Sequence, residues 1–149
     1  MVRKFLTGAL FGVASLAFTT QAFAQSDVIE KRQAAMKRNS ADAKAIKAAI
    51  ESKNYDTVEV KAKEIMGTAE KIPSLFPKGS TQGKTKAKPE IWEKNDDFVK
   101  HAKALGKSAG ELAAAAKASN DADVGVKVKA VGEACNSCHK QFRADKYSE

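Results

Sequence analysis

Apolar positions recur along most of the chain in steps of three and four residues, the period of one face of an α-helix. In the first such stretch Ile29, Met36, Ala43 and Ile50 stand seven apart, with Ile46 on the same side, and Arg32, Gln33 and Asn39 interrupt the stripe. Asp27-x-x-Glu30 has the form of a capping box opening this helix. Asn54, Tyr55 and Asp56 mark a turn, and Asp56-x-x-Glu59 has the form of a second box. Val58, Ala62, Ile65, Ala69 and Ile72 make the next stripe, which Pro73 stops. Residues 73–89 hold Pro77, Gly79 and Gly83 with little periodicity and are expected as a long loop. Pro89 suits a first helical turn, followed by Ile91, Trp92, Phe98, Ala102, Leu105, Ala109, Leu112 and Ala116. After a polar turn at 119–123, Val124, Val128, Val131, Cys135, Cys138 and Phe142 repeat in the same rhythm. No useful length of chain alternates with a period of two. Four narrow seams predict an all-α, left-handed antiparallel four-helix bundle, in which the many Ala residues allow close helix approach.

Residues 1–24 follow another grammar. Arg3 and Lys4 precede an uncharged, mostly apolar run from Phe5 to Phe18, and Ala22-Phe23-Ala24 is a small-x-small cleavage signal. This is the pattern of a secretory signal peptide, with a run shorter than the roughly 20 apolar residues of a membrane span. The expectation is export to the periplasm, with residues 25–149 as the working domain and no stable membrane anchor. Removing the signal leaves Phe76, Phe98, Phe142, Tyr55, Tyr147 and Trp92 as the aromatic supply, a thin one for a core.

Composition narrows the field. A chain of 149 residues suits one domain. Aromatics at 7% and only 3 Pro disfavour a β-sandwich, and 43% hydrophobic residues argue against a disordered chain. The net charge of +8 includes Lys78, Lys84, Lys86 and Lys88, crowded into the long loop. Such a surface could steer an acidic redox partner. Nucleic-acid binding is disfavoured by export and by the lack of an aromatic platform. No Ser/His/Asp set, paired-carboxylate motif or phosphate loop points to an enzyme.

The chemistry sits in the last helix. Cys135-Asn136-Ser137-Cys138-His139 uses both Cys and one of the 2 His in the chain. Positions i, i+3 and i+4 share a helical face, so both thiols and the imidazole point into the seam of Val131 and Phe142. This spacing suits one covalent haem c: each Cys forms a thioether, and His139 reaches the iron. A disulfide oxidoreductase would place its C-x-x-C after a strand, at a helix start. A zinc site would need further ligands, and only His101 and carboxylates remain. His101, between Lys100 and Lys103 and off the main stripe, reads as exposed.

With these motifs the chain resembles the cytochrome c′ family, and within it the low-spin cytochrome c-556 branch. Arg32-Gln33-Ala34-Ala35-Met36-Lys37 resembles the family's R-Q-x-x-M-K run. Leu75-Phe76-Pro77 and Pro89-Glu90-Ile91-Trp92 resemble its middle loop and third-helix start, and Phe142-Arg143 its aromatic-Arg pair. The resemblance implies a monohaem electron carrier between periplasmic donor and acceptor proteins, monomeric or homodimeric, with Met36 as the distal iron ligand. In cytochrome c′ proper a Met there can stay unbound, which gives the alternative of a five-coordinate protein binding nitric oxide or carbon monoxide. Arg32 and Gln33, about one turn before Met36, either contact the haem edge or a propionate or reach to solvent. Arg143, at i+4 from His139, stands either beside the proximal imidazole or on the surface. Trp92 and Phe98 are expected as core or haem-packing residues, and Met66 as core or boundary packing.

Overall fold

The computed structural model describes residues 17–81 and 83–146. Helix α1 (Ala17–Glu51) is followed by α2 (Tyr55–Lys71), a 3-10 turn (Pro73–Leu75), one turn of helix α3 (Glu90–Glu93), α4 (Asn95–Lys117) and α5 (Asp121–Phe142). The long helices α1, α2, α4 and α5 form a four-helix bundle. Side-chain pairs give their directions. Asp42 meets Lys61 and Arg38 meets Glu64; Met66 lies against Gly110 and Ala69 against Gly106; Glu111 meets Lys127 and His101 meets Gln141, so each helix runs antiparallel to the next. Helix α1 packs on α2, α2 on α4 and α4 on α5, whereas among the described residues α5 makes no comparable packing on α1. Among the described residues no helix is long and apolar enough to cross a membrane.

The two tight turns share one construction. Helix α1 ends through Lys53 at φ 56°, and α4 ends through Ser119 at φ 51°. Asn54 N–H donates to Ala49 O at 2.8 Å and Asn120 N–H to Ala115 O at 3.1 Å, the six-to-one bond of a Schellman motif. Each Asn then caps the next helix, Asn54 accepting from Thr57 N–H at 3.0 Å and Asn120 from Asp123 N–H at 3.2 Å. Lys53 and Tyr55 both reach Asp121, tying this end of the bundle together.

Three sequence expectations are corrected here. Asp27-x-x-Glu30 opens no helix, because α1 is already helical from Ala17; the Ala-rich segment before it continues the helix. The export signal otherwise lies outside the described residues. Asp56 does not cap α2, since Asn54 sits where the chain turns. The third stripe is two helices, because Lys94 leaves helical geometry at φ −117° and ψ 47°. Pro73 does end α2, as expected.

The core lies between α2, α4 and α5. Val58, Ala62, Ile65 and Ala69 face Phe98, Ala102, Leu105, Ala109 and Leu112, with Val124, Val131 and Phe142 on the far side of α4. Each large buried side chain contributes roughly 1.5–3 kcal/mol. Gly110 leaves room for Met66 between α2 and α4, since a Cβ there would stand 3.2 Å from Met66 Sδ. Met66 is thereby half-buried against the core, as expected.

Helix α1 is different. Ile29, Ile46 and Ala49 are buried, but so are Arg32, Asn39 and Asp42, while Ala43 is exposed. The inner face here is the one shared by Asp42, Ile46 and Ala49, and Ala43 lies off it although Ile50, one heptad on, is partly buried. Asp42 is 4% exposed, 3.4 Å from Lys61 Nζ, with its second oxygen unpartnered. Burial, with Glu64 adding its charge, pushes this carboxyl above the ordinary range despite Lys61.

Two predictions follow from local strain and burial. Ser119→Gly relieves a left-handed non-glycine residue and should stabilise the protein by about 1 kcal/mol, read as a higher urea midpoint. Asp42 has its folded pKa above its unfolded one, so its contribution is most favourable in acid, below the unfolded value. That contribution is lost as pH rises through the folded one. Asp42→Asn should therefore raise the urea midpoint at neutral pH and change it little in acid. An equal change at both pH values would contradict the burial argument.

Candidate functional site

Because α1 and α5 stay apart, a cavity of about 370 Å³ lies between them. Helix α5 presents Cys135, Cys138 and His139 to it, and α1 presents Arg32, Gln33 and Met36. The structure thus brings the expected C-x-x-C-H face and Met36 to one cavity from opposite helices. Ile91, Phe98, Ala102, Leu105 and Phe142 make an apolar floor. Met36, Cys135 and Cys138 are half-buried against the core.

The end of the cavity is closed by the long loop, and the polar residues of α1 hold it there. Arg32 is 3% exposed and does not reach to solvent. Its guanidinium donates to Ser80 O at 3.0 Å, Ser80 Oγ at 3.1 Å and Thr85 Oγ1 at 2.7 Å. It also lies 5.0 Å above the Phe76 ring. Gln33 Nε2 donates to Lys84 O at 2.9 Å. On the other side Lys88 N–H donates to Phe142 O at 3.0 Å and Ala144 N–H to Lys86 O at 2.8 Å, around the bridge between Ala87 and Arg143. The loop therefore joins α1 to the end of α5. Trp92 does not line the cavity; its Nε1 donates to Phe76 O and Pro77 O and braces the loop from outside.

A run of aromatic edges crosses the floor. Phe76 meets Phe98 at 4.9 Å, Phe98 meets Phe142 at 5.3 Å, and Phe142 meets His101 at 5.6 Å, all edge-to-face. The position of His101 corrects the sequence expectation. It is half-buried, lines the cavity and bonds to α5, because α4 turns residue 101 toward its neighbour rather than to solvent. Phe76, Ser80, Thr85 and His101 are site residues that periodicity did not single out. Only the resemblance of Leu75-Phe76-Pro77 to a family loop pointed near them.

The electrostatics suit particular ligands. Burial pushes the Cys135 thiol up, and pushes Cys138 up to about 11, with Cys135 adding to the effect. Both are thiols at neutral pH, which is the reverse of a reactive C-x-x-C at a helix start. His139 keeps an exposed edge at the cavity mouth. Burial of its inner side, then the nearby Arg143 guanidinium, lowers its pKa, leaving a neutral imidazole able to bind a metal. Arg143 itself is exposed, at the rim. The lining carries Arg32, Lys37, Lys86 and Arg143 and no carboxylate. Among the described residues no group of three or more His, Cys, Asp or Glu could hold a metal by itself. The donor set fits a flat, mainly apolar group with an acidic edge, held by two thiols and carrying its own metal to an imidazole. A haem c has that chemistry. Asn39 Oδ1, buried in the cavity wall without a partner, adds one open acceptor.

Known proteins share this pattern. A family model described as Cytochrome C′ matches residues 27–143. Cytochrome c′ of Rhodospirillum rubrum is 40% identical over 56% of this chain and 58% of its own length. Cytochrome c-556 of Agrobacterium tumefaciens is 36% identical over 79% of this chain and 98% of that protein. The crystal structure of cytochrome c′ from Thermochromatium tepidum is similar with a TM-score of 0.75 and 34% identity, covering 81% of this chain and 97% of that one.

The Arg32 clamp can be tested directly. Arg32→Met keeps an apolar stem and removes three donors, and should cost roughly 1–3 kcal/mol. Amide hydrogen exchange in residues 78–86 should rise with it. Arg32→Lys should recover little, because one ammonium does not span Ser80 and Thr85 as a guanidinium does. Loop exchange that stays slow in Arg32→Met would show that other contacts hold the loop.

Proposed function

The chain belongs to the cytochrome c′ family, which implies one covalent haem c with its iron, and on that premise we propose that it is a periplasmic one-electron carrier. The observation that carries this reading is the opposition across one cavity of Cys135, Cys138 and His139 on α5 and Met36 on α1. Cys135 and Cys138 would hold the haem as thioethers, and His139 and Met36 would hold its iron, the soft thioether of Met36 favouring the reduced state and raising the potential. When bound, the haem iron supplies a one-electron couple.

The chain's own residues do the rest. The floor of Ile91, Phe98, Leu105 and Phe142 keeps water from the inner side of the cavity. His139 and Met36, on separate helices, would both hold the iron in either oxidation state, which limits rearrangement. Arg32 and Gln33 hold the loop at the end of the cavity, and Lys37, Lys86 and Arg143 in its lining would meet the acidic edge of the bound group. The same excess of positive charge favours encounter with acidic donor and acceptor proteins. Residues 1–24 direct export, so that haem attachment takes place outside the cytoplasm.

Optical and electron paramagnetic resonance spectra of the haem-loaded protein test this reading. Low-spin ferric spectra with a thioether-to-iron charge-transfer band are expected, and Met36→Ala should abolish that band and lower the reduction potential. A high-spin, five-coordinate spectrum unchanged by Met36→Ala would sink the distal ligation. It would favour a protein that binds nitric oxide or carbon monoxide, with Met36 packed over the iron.

A further inference from the structure

His101 takes no part in the coordination proposed above, yet its ring meets α5 at three residues. Nδ1 lies 3.3 Å from Ser137 Oγ, and Nε2 lies 3.2 Å from Gln141 Oε1. The ring packs edge-to-face on Phe142, with centroids 5.6 Å apart at 78°. In the Nε2–H tautomer His101 donates to Gln141 Oε1, and Nδ1 is left as an acceptor for Ser137, whose one hydroxyl proton it shares with Ala134 O. Ser137 stands inside the C-x-x-C-H run, where its hydroxyl also lies 3.1 Å from Ala134 O. Gln141 and Phe142 stand just beyond His139. The three contacts therefore bracket Cys138 and His139 along the helix.

The platform beneath is firm, because Phe98, Ala102 and Leu105 on either side of His101 are buried. Helix α5 is held mainly from one side: among the described residues it packs along α4 and touches the short α3, with no comparable packing on α1. Near the thiol–imidazole face, Val131, Ala134 and Phe142 pack against the core and the Ala87–Arg143 pairing holds the helix end, and the partners of His101 add directional bonds to these. Binding groups must be held to about 0.5 Å and 10–20° to act. A small turn of α5 swings a side chain that projects from it further than its backbone. Filling space against Phe142 would need only an apolar ring, whereas His101 adds two directional bonds.

We propose that His101 is a positioning residue: it sets the rotation of α5 about its own axis, and with it the direction in which Cys138 and His139 face the cavity. The proposal rests on the reading of His139 as an iron ligand. The test uses the haem-loaded protein in three variants. His101→Phe keeps a ring against Phe142 and removes both bonds, His101→Gln restores a donor toward Gln141, and Ser137→Ala leaves the ring in place and removes one partner. The readouts are amide hydrogen exchange across residues 134–142 and the iron–imidazole stretching band in the ferrous resonance Raman spectrum, the latter recorded with each variant in a Met36→Ala background, where the ferrous iron lacks the sulfur ligand that would suppress the band. In His101→Phe the band should shift and exchange should quicken, His101→Gln should recover part of both, and Ser137→Ala should move both in the same direction. An iron–imidazole band that is present but unmoved in His101→Phe overturns this proposal alone, reducing His101 to packing. A Met36→Ala protein, with His101 and Ser137 unchanged, that shows no such band overturns the ligation by His139, and this proposal with it.

Discussion

At the cavity end of the bundle, α1 and α5 are joined through a loop rather than through each other. The Arg32 guanidinium makes one half of that joint, with donors on Ser80 and Thr85 and its face over Phe76. The backbone pairing around Ala87 and Arg143 makes the other half. Two helices that packed directly would close the space between them with side chains. Held instead at a distance by the loop, they leave a walled cavity large enough to receive a prosthetic group. The position of the loop thus decides whether the thiols and imidazole of α5 have anything opposite them.

The polarity of the wall matches this architecture. The inner face of α1 carries Arg32, Asn39 and Asp42 among its buried residues, whereas the faces of α2 and α4 are apolar. A helix that meets a neighbour on one side and a cavity on the other cannot be read from a single hydrophobic stripe. Its polar groups are instead accounted for one at a time: Arg32 by the loop, and Asp42 in part by Lys61. The unpartnered oxygens of Asn39 and Asp42 mark where this accounting is incomplete.

Along the floor, edge-to-face contacts run from Phe76 through Phe98 and Phe142 to His101. They connect the loop, α4 and α5, so the phenylalanines of the domain stand where three elements must be held in register. Trp92 braces the loop from outside and Tyr55 ties the other end of the bundle, and the rest of the core is built from Ala, Val, Ile and Leu.

Local patterns were legible in the sequence because they are enforced within a few residues. Steps of three and four placed the long helices, Pro73 ended α2, and C-x-x-C-H put two thiols and an imidazole on one face whatever the fold around them. Met36 could be marked only by resemblance, since nothing local distinguishes it from a core methionine. The tertiary structure decided the rest through contacts between residues far apart in the chain. Arg32 finds Ser80 and Thr85, Gln33 finds Lys84, and His101 finds Ser137 and Gln141. No periodicity encodes such pairs, because each depends on how two separate elements are rotated against each other. For the same reason Ala43 fell outside the inner face and Asp42 within it. The heptad fixed the spacing of those residues, while packing against α2 fixed which side of α1 faces inward.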